Sequence, residues 1–310
     1  SEAARRLVEG PAQRKDGLEI LVEVTSSRLE LPDRRWIVLF ARDITEKRRN
    51  ERELRVREEQ MHAAREIQQR LFPRAAPVVP GFDIAGTSVP ADATGGDYYD
   101  YLPMMDGNLG LVVADVSGHG LGPSLLMVET RALLRVVARN RVDPGEILVR
   151  ANRVLAEDVE GRNYVTLVFV RLNVQTGELV HASAGHPAGL VLDAAGQTKA
   201  ELKRTGGPLG FAFGPPVAAA APVRLLPGDV LVLYTDGIKE ARRARSHADA
   251  GEEFGVARIL EIVRANLDRS ATEIIQALCA AAKAFAAPDP LDDDLTLLGG
   301  IIVIGAAAAN

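Results

Sequence analysis

Two apolar runs that each end in aspartate decide how this chain is read: LGLVVADVSGHG, Leu109–Gly120, and GDVLVLYTDG, Gly228–Gly237. Leu111–Ala114 and Val230–Leu233 are short, aliphatic and rich in β-branched residues, the texture of buried strands. Aspartate disfavours a strand interior, so Asp115 and Asp236 are expected at strand ends, where a sheet presents chemical groups. Two further stretches repeat the theme: GGDYYD at Gly95–Asp100 and DDDLT at Asp292–Thr296. Singly, each reads as a turn or a helix cap. If the four converge they need a cation, because carboxylates brought together repel and raise each other's pKa. Carboxylate and carbonyl oxygens suit Mg²⁺ or Mn²⁺. The five histidines are scattered and Cys279 is the single cysteine, so no zinc pattern exists.

Around these runs the chain alternates strands and helix pairs. Strands are expected at 82–89, 98–103, 109–116, 164–173, 178–184, 189–193, 223–226, 229–235 and 295–304. Turn chemistry such as Asp106-Gly107-Asn108 and Pro227-Gly228 bounds most of them. One helix carries the apolar stripe Leu125, Val128, Ala132 and Val136. The next starts at Asp143-Pro144-Gly145-Glu146, with Asp at the N-cap and Pro at the first helical position. A second pair covers 255–267 and 272–286, the latter opened by the capping box Ser270-Ala271-Thr272-Glu273. Many strands with two helix pairs make an α+β layered fold.

Upstream the texture changes twice. Residues 1–45 read as three strands in a piece too small for an independent core. Residues 46–72 lack Pro and Gly, and eleven of the fourteen residues from Glu46 to Glu59 are charged. Leu54, Met61, Ala64 and Leu71 trace a thin heptad seam interrupted by Arg57 and Gln68, so a solvated single helix and a coiled coil both fit. Pro73 ends the helix. The main domain is 73–305, and the alanine-rich tail 306–310 is expected to be disordered. The composition is 47% apolar and 25% charged with a net charge of −5, which gives nucleic-acid binding no support. No run reaches the roughly 18 apolar residues of a membrane span. A cytoplasmic protein is expected.

The combined motifs carry a resemblance. They are Ala64-x-x-Ile67-Gln68-x-x-Leu71-x-Pro73, Gly95–Asp100, Asp115–Gly120, Thr166-Leu167, Gly185-His186-Pro187, Gly207–Gly210, Gly228–Gly237 and Asp293–Thr296. The stretch resembles the bacterial branch of the metal-dependent PPM/PP2C-type phosphatases, the group that includes RsbU and SpoIIE. The resemblance implies a four-layer α-β-β-α sandwich of two antiparallel sheets flanked by helix pairs. It implies two Mn²⁺ or Mg²⁺ ions held by Asp97, Asp115, Asp236, Asp293 and the backbone carbonyl of Val116, with Asp100 and Asp294 just outside them. Gly96 and Gly118 are expected to let the backbone approach the metals. The implied activity is hydrolysis of phosphoserine or phosphothreonine on a partner protein, of which a STAS-type anti-sigma-factor antagonist is the expected class.

Where eukaryotic relatives place a histidine two residues after the second metal aspartate, this chain has Ser117. His119 is the remaining candidate general acid, and a purely structural role in its tight turn is at least as well supported. A structural role is favoured for His186. Arg242, Arg243 and Arg245 lie in a basic segment, 239–253, that could face an acidic substrate, as could the Gly- and Pro-rich segment 205–216. Residues 1–45 resemble the last strands of a PAS sensor domain, and by the same resemblance the linker helix would connect it to the phosphatase and pair in a homodimer. Two other readings stay open: a non-catalytic binding module of the same fold, and a hydrolase for small phosphate esters.

Overall fold

The computed structural model describes residues 6–30, 35–91, 94–118, 120–159, 163–212, 216–243, 252–287 and 293–302. His119, Arg245, Asp292 and the tail 306–310 lie outside the described residues. The chain divides into two units, Ser1–Ala63 and Ala64–Asn310.

In the first unit β1 (Arg6–Gln13), β2 (Glu19–Glu30) and β3 (Arg35–Asp43) form an antiparallel sheet in chain order. The turn before β2 is built as its sequence requires: Gly17 has φ 86° and the Leu18 amide donates to Asp16 Oδ1. Two differences from the sequence reading have a physical cause. The segments around residues 18–24 and 29–31 are one 12-residue strand. β1 was not expected, because Gly10 and Pro11 interrupt its pattern; an edge strand tolerates both, since proline's missing N–H faces away from the ladder. Helix α1 (Thr45–Gln69) follows, with Asp43 Oδ1 accepting from the Thr45 amide. The division between units falls inside α1, so its last turn belongs to the second unit.

The second unit runs β4 (Phe82–Val89), β5 (Tyr98–Pro103), β6 (Leu109–Val116), α2 (Leu121–Val137), α3 (Pro144–Val159), β7 (Val165–Leu172), β8 (Glu178–Ala184), β9 (Gly189–Leu192), β10 (Thr198–Leu202), β11 (Val223–Arg224), β12 (Val230–Tyr234), α4 (Asp236–Lys239), α5 (Gly255–Ala265), α6 (Ala271–Ala286) and β13 (Leu295–Ile302). Two five-stranded sheets result, ordered β10-β9-β12-β13-β4 and β11-β8-β7-β6-β5, with every named strand pair antiparallel.

Strand alternation builds the layers. Along β6, Leu111 and Val113 enter the core between the sheets, while Val112, Ala114 and Val116 pack with α2 and α3. Along β12, Leu231 and Leu233 face inward, while Val230, Val232 and Tyr234 pack with α5 and α6. The architecture is the α-β-β-α sandwich that the resemblance implied. The capping box at Ser270 and Glu273 is present, and Asp143 Oδ1 accepts from the Glu146 amide. The α2 stripe is a correction. Leu125 and Val136 are 60% and 64% exposed, and the buried residues are Pro123, Ser124, Leu126, Met127, Thr130 and Leu134. Both sets have helical spacing, and only docking on the sheet chooses between them. β10 was also missed, since Thr-Lys-Ala-Glu-Leu is a polar, mostly exposed edge strand.

Candidate functional site

Antiparallel pairing gathers the aspartates. Pairing of β5 with β6 sets the start of β5, and so Asp97, beside the end of β6, which carries Asp115. Pairing of β12 with β13 does the same for Asp236, which follows β12, and for Asp293 and Asp294, which precede β13. Asp115 shares its strand face with Leu111 and Val113, so it points toward the gap between the sheets.

Fixed contacts organise this end of the sandwich. The Thr235 hydroxyl donates to Asp97 Oδ2 at 2.8 Å and accepts from the Thr296 amide at 3.2 Å, joining elements of both sheets. Asp294 Oδ1 accepts from the Ala91 amide at 2.8 Å, and its Oδ2 accepts from the Asp97 amide at 3.4 Å. Gly96 is required by proximity: a Cβ there would stand 2.6 Å from the Val116 carbonyl oxygen. Gly118 meets a different need from the one expected. Its φ of 91° demands glycine, while an added Cβ would meet only Pro123 at 3.5 Å.

The electrostatics carry the mark of convergence. Asp97 is buried, and burial first, then Asp115 and Asp294, hold its carboxyl well above the usual range. Burial, then Asp236, Asp293 and Asp294, push Asp115 up to about 7. Asp236 is raised by burial and then by Glu240, and Asp293 by burial with Asp236 and Asp294 among the further causes. Among the described residues no three His, Cys, Asp or Glu side chains are grouped closely enough to hold a metal ion as they stand. What exists is an oxygen-only donor set under mutual repulsion, with a backbone carbonyl beside it, and that chemistry fits hard divalent cations.

The other candidates are placed as follows. Asp100 is withdrawn from the group: its fully buried carboxylate is gripped by Arg135 of α2 at 2.6 and 2.7 Å, and it accepts from the Tyr98 hydroxyl and the Tyr101 amide. In place of a role beside the metals it anchors a helix to the sheet. Arg242 pairs with Glu253 at 3.4 Å and lines a small cavity that also contains Asp293. Arg243 lies over the Phe285 ring, 5.0 Å from its centroid. Phe211 stacks on Tyr164 with centroids 6.1 Å apart.

Two residues emerge that motif reading had left without a role at the site. His186 is fully buried; its Nε2 lies 3.1 Å from the Tyr234 carbonyl and must donate to it, so Nδ1 accepts from the Thr166 hydroxyl at 2.8 Å. Thr166 pairs with Asp115 in the β6–β7 register, and Tyr234 is two residues before Asp236. The imidazole thus braces both sheets just behind the aspartates. Gln68, in the last turn of α1, donates from Nε2 to the Gly95 carbonyl at 2.6 Å and accepts from the Gly95 amide at 3.2 Å. In the sequence Gln68 stands out only as an interruption of the heptad seam and as one position of the Ala64–Pro73 motif.

The sequence profile of the family Stage II sporulation protein E (SpoIIE) matches residues 105–299. Phosphoserine phosphatase RsbU of Bacillus subtilis is 27% identical over 183 residues, 59% of this chain and 54% of that protein. Protein IcfG of Synechocystis is 28% identical over 244 residues, 70% of this chain and 37% of that protein. The chain therefore spans about half or less of the curated relatives it matches. Among solved structures, the RsbU and RsbW domains of a Mycobacterium tuberculosis protein are 31% identical with a TM-score of 0.61, covering 74% of this chain and 62% of that one. The SiaA-PP2C domain of Pseudomonas aeruginosa, 22% identical with a TM-score of 0.69, covers 80% and 98% and shares the fold.

Proposed function

The chain belongs to the SpoIIE family, and on that premise we propose that it is a divalent-metal-dependent phosphatase acting on phosphoserine or phosphothreonine of a partner protein. The observation that carries the reading is the convergence of Asp97, Asp115, Asp236 and Asp293 from both sheets, each with its carboxyl pKa raised. These four and the Val116 carbonyl would hold two cations, Mn²⁺ or Mg²⁺. When bound, the ions supply Lewis-acid activation of water and charge neutralisation at the phosphoryl group.

The chain's own residues do the positioning. Thr235 fixes the orientation of Asp97, and Asp294 ties down the backbone on either side of the Gly95–Gly96 turn. Gly96 allows the Val116 carbonyl to be approached. His186, neutral and with both ring nitrogens occupied, is a positioning residue and not a proton donor. The general-acid role therefore stays with His119 as the candidate. Among the described residues of its basic segment, Arg242 lines a cavity with Asp293 and is the one we assign to meet substrate.

The name of the relative RsbU, a phosphoserine phosphatase, supports a phosphoprotein substrate, and a STAS-type anti-sigma-factor antagonist is the class we propose. Among the described residues no helix is long and apolar enough to cross a membrane, and a cytoplasmic location belongs to the same proposal. Residues 1–45 are read as the end of a PAS-type sensor. α1 is read as the connector that controls the site through Gln68 and that pairs in a homodimer.

The test is phosphate release from a phosphoserine protein and from p-nitrophenyl phosphate, each with and without Mn²⁺, and with Asp97→Ala as control. Mn²⁺-dependent release from the phosphoprotein that Asp97→Ala abolishes is expected. Release from the small ester alone would make the chain a small-ester hydrolase, and no release from either would make it a binding module.

A further inference from the structure

A cleft of about 490 Å³ has Asp236, one of the four aspartates, and Thr166 in its wall. The same lining carries three cations, Lys203, Arg204 and Lys239, that the sequence motifs do not mark. Lys203 and Arg204 follow β10, and Lys239 closes α4. Glu240 is the single acid of the lining other than Asp236, and Pro187, Ala188 and Val256 give it an apolar stretch.

The three cations are not equivalent. Lys239 lies 3.4 Å from Glu240, and Lys203 lies 3.6 Å from Glu201. Arg204 has no carboxylate partner among the described residues. Its Nε is directed at the His186 carbonyl oxygen at 3.4 Å. That contact leaves the two terminal nitrogens of an exposed guanidinium available. It also ties Arg204 to the residue that braces the aspartates from behind. A guanidinium held at one edge presents a planar fork suited to carboxylate.

We propose that this cleft receives the polypeptide flanking the phosphorylated residue, and that Arg204, aided by Lys203 and Lys239, selects substrates with acidic residues on that flank. The inference rests on the phosphatase reading and adds a specificity-determining residue to it. Opposite charges across an exposed cleft act mainly on encounter and binding, so the effect belongs in KM.

The experiment compares two phosphoserine peptides of equal length, one with acidic and one with neutral flanks. Wild type and the variants Arg204→Glu and Arg204→Lys are assayed at saturating Mn²⁺, and Mn²⁺ affinity is measured for each by calorimetry. Wild type should favour the acidic peptide about two- to fivefold in kcat/KM through KM, a size expected for one well-placed exposed charge. Arg204→Glu should erase or invert that ratio with Mn²⁺ affinity intact, and Arg204→Lys should retain most of it. An unchanged ratio in Arg204→Glu overturns the inference while leaving the phosphatase reading standing. If wild type hydrolyses neither peptide, that reading fails. Fluorescence anisotropy of the labelled acidic peptide then decides the cleft: binding that Arg204→Glu abolishes supports it, and binding that is absent or unaffected overturns it.

Discussion

At the scale of single residues, the site depends on small differences in side-chain bulk and protonation. Gly96→Ala places a methyl 2.6 Å from the Val116 carbonyl oxygen, a distance real Cβ atoms do not occupy. The expected outcome is a loss of Mn²⁺ affinity of about tenfold or more, about 1.4 kcal/mol, with far-UV circular dichroism preserved; calorimetric titration measures it, and wild-type affinity would contradict the close approach. His186 gives a pH dependence. Burial is the main cause that pushes its pKa down to about 3 from an ordinary 6.5. The unfolded chain therefore binds the proton more readily than the folded one. The stabilisation is complete above pH 6.5 and is lost as pH falls toward about 3, at up to ~1.4 kcal/mol per pH unit. Urea unfolding from pH 7 to 5 should show a steeper loss in wild type than in His186→Gln, and parallel curves would rule the account out.

At the scale of elements, two joints decide how helices are registered on the sheets. Arg135 of α2 forks onto Asp100 of β5, whose carboxylate has no exposure to water. Arg135→Leu leaves that charge without its cation and should cost about 3 kcal/mol of stability, read as a lower urea midpoint at unchanged slope. Gln68 joins the last turn of α1 to Gly95, next to the Gly96-Asp97 pair. Gln68→Ala strands two backbone groups in a buried setting, a loss of about 1–3 kcal/mol. It should raise the Mn²⁺ concentration needed for half-maximal activity, and an unchanged Mn²⁺ requirement would show that α1 does not reach the site by this route. The stripe on α2 shows why elements are hard to orient from sequence. Leu125 and Val136 repeat at helical spacing as well as Leu126 and Leu134 do, and propensity cannot say which side the sheet will cover.

At the scale of the whole molecule, the sandwich holds several carboxylates at one end whose mutual repulsion opposes folding. A cation that binds only the folded state relieves this and adds stability by mass action, about 2.7 kcal/mol at one hundred times its Kd. Mn²⁺ should therefore raise Tm by several degrees in wild type and clearly less in Asp236→Asn, and equal shifts would remove Asp236 from the binding set. The amino-acid sequence by itself determined the strands of the sandwich other than β10, the capped helices and the acidic positions at strand ends. These rest on local rules: alternation, turn chemistry, caps, and the exclusion of aspartate from strand interiors. Only the tertiary structure decided that Asp100 turns to Arg135, that Gln68 clasps Gly95, that His186 spans the sheets, and that Arg204 and Asp236 line one cleft. Those pairings join residues from 20 to 48 positions apart, and which of them form is fixed by strand register and layer packing, quantities that no short window of sequence contains.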